Sequence, residues 1–194
     1  TCLTDLSPLA DLPNLAAICI EQCRRIEDLW ELSKNRHLRI LSIRDSKKLT
    51  YYPSKLGTSD TLEEIRFWSM SSENKYCMQS LSFLNGMSSL KRLDLNGIAL
   101  EDHSTAVLAT LPNLEIFHFD AGMLTTEEIA TICVRFPHIY GQSLGAYSID
   151  DMSVDGNVRI CGYRKPTLML PDETEKLKMY IEHFDRIKEQ IAKG

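Results

Sequence analysis

No stretch of this chain approaches the ~20 consecutive apolar residues that a membrane-spanning helix needs. No basic excess is present either: the net charge is −5 and the pI is near 5.6. Proteins that bind nucleic acid or a membrane surface ordinarily carry a basic face, so neither partner is expected. The six cysteines (Cys2, Cys19, Cys23, Cys77, Cys133, Cys161) include no CxxC pair and no histidine at ligand spacing, which argues against a zinc site. A P-loop, GxGxxG, GxSxG and HExxH are all missing. No cofactor, metal or catalytic residue is therefore expected, and the chain reads as a non-enzyme. Scattered free thiols suit a reducing compartment, so the expected location is cytoplasmic. No signal-peptide pattern is visible, but a chain that starts at Thr1 without Met gives that no weight.

What is present is a spacing. An apolar residue is followed by another three positions on and a third two beyond that. The sets are Leu15/Ile18/Ile20, Leu38/Leu41/Ile43, Leu62/Ile65/Phe67, Leu90/Leu93/Leu95 and Leu114/Phe117/Phe119, and their first residues lie 23, 24, 28 and 24 apart. Alternation within a set predicts a short, half-buried strand. Parallel strands need a crossover, and the residues between sets supply one. Ile26, Leu29, Leu49 and Leu100 are expected to point back into the same core. One such unit cannot bury its apolar side alone, whereas stacked units can.

The crossovers differ. The segment after Ile20 is too short for more than a turn of helix, and that from Ser71 to Ser89 is longer. A helix is predicted over Glu101–Ala109, and another from Thr125 to about Arg135, where Thr125 and Glu128 have capping-box spacing. Leu3 precedes Leu15 by twelve, as Ile26 precedes Leu38. Residue 1 thus falls inside a unit, and further units are expected upstream of it. The spacing fades near Gln142. Beyond it, Met152–Val154 and Val158–Ile160 flank Asp155-Gly156-Asn157 and predict a hairpin. Asp172 and Glu175 form a second capping-box spacing. Leu177, Tyr180, Ile181, Phe184, Ile187 and Ile191 make one apolar stripe on a helix. The expected organisation is a repeat region over 1–145 and a hairpin-helix cap over 146–194.

The phrase Leu3-Thr-Asp-Leu-Ser-Pro-Leu-Ala-Asp-Leu-Pro-Asn-Leu15, with Cys23 after the strand, resembles leucine-rich repeats of the trypanosomatid group. The internalin type uses a similar phrase with shorter repeats. The stretch from Leu15 to Leu62 is similar to the repeat region of plant intracellular immune receptors. The resemblance covers about residues 1–145 and implies an α/β solenoid with a curved parallel sheet. The ladder position holds Cys23, Ser46, Met70, Ile98 and Gly122. Only Cys23 is the residue that the family places there, so the later turns must satisfy their backbone differently.

Residues that alternate with the apolar sets face outward, and five strands at ~4.8 Å make that face about 20 Å wide. It carries Arg44, Arg66, Trp68, Arg92, Asp94, His118 and Asp120, the candidate partner-binding residues. A tryptophan among arginines is the composition enriched at binding hot spots. Two other readings remain open for it: Trp68 folded over a neighbouring strand, or covered by Tyr76, Cys77 and Met78. His118 near Asp94 has the ingredients of a general base, but a solvated charged column is the commoner arrangement. The expected function is a non-catalytic protein-interaction module. The ligand-sensing region of an immune-type receptor and the recognition arm of a ubiquitin ligase are the alternatives.

Overall fold

A computed structural model describes residues 3–51, 54–70, 76–149 and 156–194. The fold is α/β. Five strands, β1 (Ala17–Glu21), β2 (Ile40–Arg44), β3 (Glu64–Trp68), β5 (Arg92–Asn96) and β7 (Ile116–Phe119), form a parallel sheet in that order. Between them in sequence lie β4 (Tyr76–Met78) and β6 (Ile98–Leu100), a separate parallel pair. The chain divides into two compact units, Thr1–Phe117 and His118–Gly194, with the boundary inside β7. That differs from the expected boundary at 145/146.

In the first unit, residues at the same place in successive apolar sets are lateral partners. Ile18 pairs with Leu41, Leu41 with Ile65, and Ile65 with Leu93. Strand entry also recurs. The amides of Arg39 and Ile40 donate to Ala16 O, those of Glu63 and Glu64 to Arg39 O, and those of Lys91 and Arg92 to Glu63 O. Glu115 and Ile116 do the same to Lys91 O. A shared carbonyl at each entry fixes register, and register fixes which face each side chain takes. Leu38, Leu41, Ile43, Leu62, Ile65, Phe67, Leu90, Leu93 and Leu95 are all at most 1% exposed, and Ile26, Leu29, Leu49 and Leu100 are buried with them. The first set is different: Leu15 and Ile18 are only half-buried, whereas Phe117 on β7, the other end strand of the sheet, is fully buried.

The crossovers are mostly single 3₁₀ turns, at Ser7–Asp11, Leu32–Lys34, Ser54–Thr58, Ser82–Leu84 and Ala106–Thr110, with one short helix, α1 (Lys47–Tyr51). The helix predicted over Glu101–Ala109 is not formed. His103 adopts a left-handed backbone (φ 49°) and Asp102 Oδ1 accepts from the Ser104 amide, so the chain turns there and only Ala106–Thr110 winds. In the long third crossover, Ser71–Lys75 lie outside the described residues, and Tyr76–Met78 pair with β6.

Two turn positions show how the backbone is satisfied without the expected ladder residue. Ser46, fully buried, accepts from the Cys23 amide at 3.0 Å and donates to Arg44 O at 2.9 Å. Asp45 Oδ1 accepts from the Met70 amide at 2.9 Å. Gly97 (φ +70°) is required because a Cβ there would meet Ser69 O at 2.2 Å.

The second unit contains α2 (Thr126–Arg135) and α3 (Thr174–Lys193), which pack on each other, and a three-stranded antiparallel sheet. The N-cap of α2 is as expected: Thr125 Oγ1 accepts from the Glu128 amide at 3.1 Å. The cap expected from Asp172 and Glu175 is not made. The helix starts after Glu173, whose carboxylate instead accepts from the Met169 amide at 2.9 Å and from Lys176 at 2.6 Å. The strands are β8 (Tyr147–Ile149), β9 (Val158–Ile160) and β10 (Thr167–Leu168), in the order β10-β9-β8. Val158–Ile160 is thus a strand as expected. Met152–Val154 lie outside the described residues, and the strand that pairs with β9 on that side is Tyr147–Ile149. Val158, Ile160, Leu168 and Leu177 form a core, with Leu170, Tyr180 and Ile181 packed against it. The predicted helix stripe is the buried side: Leu177 and Phe184 are buried, and Tyr180, Ile181, Ile187 and Ile191 are half-buried. Among the described residues, no helix is long and apolar enough to cross a membrane.

Candidate functional site

With the apolar sets turned inward, β1, β2, β3 and β5 present three rows of side chains on the opposite face. The register gives them as Ala17, Ile40, Glu64, Arg92; then Cys19, Ser42, Arg66, Asp94; then Glu21, Arg44, Trp68, Asn96. Five of the expected binding residues, Arg44, Arg66, Trp68, Arg92 and Asp94, therefore lie on one face of the first unit. The other two, His118 and Asp120, belong to the second unit. There His118 Nδ1 accepts from the Gln142 amide at 3.3 Å, and its ring meets Tyr140 edge-on at 5.9 Å. Asp120 is half-buried, and its carbonyl accepts from the Met123 amide.

Charge on the first-unit face is arranged in local pairs. Asp94 is the centre: its Oδ2 accepts from Arg92 Nε at 3.0 Å and lies 3.7 Å from Arg66 Nε. The residue is 8% exposed, and its Oδ1 is buried with no hydrogen-bond partner among the described residues. Leaving a buried acceptor unsatisfied costs about 1–3 kcal/mol, offset here by two adjacent guanidinium charges. Arg66 also donates to Glu64.

Arg44 stands apart from this network. Its guanidinium carbon is 4.3 Å from the centre of the Trp68 ring, a cation–π stack. Its contact with Glu21 is 3.6 Å, too long for a hydrogen bond. Among the described residues it donates no side-chain hydrogen bond, and its Nε is buried without a partner. Trp68 remains 45% exposed, with Arg44 of the neighbouring strand β2 stacked on its ring. A depression of ≈ 590 Å³ lies over these strands, and its lining includes Ala17, Ile40, Ser42, Arg44, Arg66, Trp68 and Asp94.

The thiols with a displaced pKa have moved away from reactivity. Burial pushes Cys77, Cys133 and Cys161 upward, Cys161 to about 11, whereas a nucleophilic thiolate needs a lowered value. Among the described residues, no three of His, Cys, Asp and Glu gather as a metal site.

Two features were not foreseen from the sequence. Glu21 and Glu64 share this face by alternation, but alternation gives no sign of their pairing with Arg44 and Arg66. The apolar spacing does not mark Asn35. It is fully buried, donates to Leu9 O and Leu12 O at 2.9 Å each, and accepts from Trp30 Nε1 at 2.5 Å. An asparagine just before the second apolar set was the available signal.

Comparison with protein-family models, with curated proteins and with solved structures finds no match to this chain.

Proposed function

We propose that the chain is a leucine-rich-repeat solenoid segment that acts without catalysis, as a scaffold binding a protein partner on the outward face of its parallel sheet. The observation that carries this reading is the pairing of an exposed Trp68 with a stacked Arg44 beside a depression of ≈ 590 Å³. Exposed aromatic and arginine residues supply most binding energy at interfaces. A face built from successive strands offers breadth rather than an enclosed, water-excluding pocket. The free cysteines agree with an intracellular protein.

The test is affinity capture from native lysate by the wild type and by an Arg44→Glu/Trp68→Ala double variant with unchanged melting. A partner retained by the wild type and lost by the variant is the expected result. Equal capture by both places the binding surface elsewhere and overturns the reading.

A further inference from the structure

We infer that the Arg44–Trp68 pair is a docking point for an acidic peptide segment of the partner, with a carboxylate on Arg44 and an adjacent apolar side chain on Trp68. This rests on the proposed sheet-face reading and specifies its chemistry. Charge complementarity carries it. Of the three charged residues that line the depression, Asp94 is nearly sealed and already holds Arg92 and Arg66 on one oxygen. The two that remain accessible are guanidinium groups, with Arg66 44% and Arg44 30% exposed at the side chain.

The two are not equivalent. Arg66 already donates to Glu64, whereas Arg44 donates no side-chain hydrogen bond among the described residues. A guanidinium is a planar fork that matches a carboxylate in two parallel bonds. Stacking on Trp68 at 4.3 Å holds that fork in one plane before any ligand arrives, which reduces the ordering cost of binding. The opposing charge is Glu21, exposed and 3.6 Å away. It neutralises Arg44 without occupying its donors, so an incoming carboxylate can take its place. The uncovered part of Trp68 offers an apolar seat next to the charge.

The probe is a random peptide library displayed on phage, panned against the whole chain, followed by titration of the most enriched peptide in synthetic form. The inference expects enriched sequences with Asp or Glu within two residues of an aromatic or leucine. Affinity should fall at least tenfold for Arg44→Gln and fall less for Arg44→Lys, which keeps the charge and loses the fork. It should also weaken as salt rises. Enrichment of basic or neutral peptides that are still lost with Trp68→Ala overturns the acidic chemistry and leaves the sheet-face reading standing. Binding indifferent to both Arg44→Gln and Trp68→Ala overturns both. No enrichment above background overturns the inference.

Discussion

In the first unit, the residues that touch across the core are a whole strand-to-strand period apart: Leu41 sits beside Ile65, and Ile65 beside Leu93. In the second, a hairpin-like sheet lays Val158, Ile160 and Leu168 against Leu177 of α3, and two helices pack face to face. The first scheme reuses one position in successive strands. The second uses each residue once, in elements of different kinds. Burial still varies along a row: Ile18 is half-buried beside the fully buried Leu41. The same place in the pattern is buried to different depths at the two ends of the sheet, since Phe117 on β7 is fully buried.

Breaking that scheme should have the largest effect. Leu93→Asp places a charge in the dry core between β3 and β5 and should cost about 4 kcal/mol or more. Ile18→Asp, on the end strand, should cost about 1–2 kcal/mol. Urea denaturation of both variants measures the contrast; equal costs would show that the difference in burial between the two positions does not set the penalty. In the second unit, Phe184→Ala removes a buried ring from α3 and should cost about 3 kcal/mol. Hydrogen exchange locates that loss, with Thr126–Arg135 and Thr174–Lys193 as the amides expected to lose protection.

A third contrast uses pH. Burial raises the Cys161 thiol from the ordinary 9.0 to about 11, so the folded protein keeps a proton that the unfolded chain releases. Stability should be complete below about pH 9 and fall by roughly 2–3 kcal/mol as pH rises towards 11. Cys161→Ala should flatten this slope in denaturant titrations at successive pH values. A slope unchanged in that variant would place the alkaline loss elsewhere. The smallest effect separates the two helix starts. Thr125→Ala should lower stability by about 1 kcal/mol, because its hydroxyl accepts from the Glu128 amide. Asp172→Ala should change it by less than about 0.5 kcal/mol, since Asp172 does not cap α3. Thermal melts of the pair decide between the cap seen and the cap the spacing suggested.

Both helix starts carry the same Ser/Thr/Asp-x-x-Glu signature, yet only one is used. At Thr125 the hydroxyl finds the amide three residues on. At Asp172 the preceding chain is held by Glu173, whose carboxylate reaches back to Met169, and the helix begins later. Local spacing states which bonds a segment is able to make, and the competing bond decides. The same holds at Glu101, where the sequence is compatible with a helix and Asp102 draws the chain into a turn instead. The site was legible to the same degree. Alternation placed Arg44, Arg66, Trp68, Arg92 and Asp94 on one face, since side-chain direction along a strand has a period of two. It carried no information on which arginine would be used up by Asp94 and Glu64, or which would be left stacked on Trp68.

The sequence by itself determined where the five strands of the parallel sheet fall, which side chains each turns inward, and the apolar stripe of the last helix. Those follow from periodicity, a property of the chain taken one segment at a time. Only the tertiary structure decided how deeply each position is buried, that Tyr76–Met78 would pair with Ile98–Leu100, and that Arg44 would stack on Trp68. These depend on distances between segments more than twenty residues apart, set by register and by competition for the same hydrogen-bond partners.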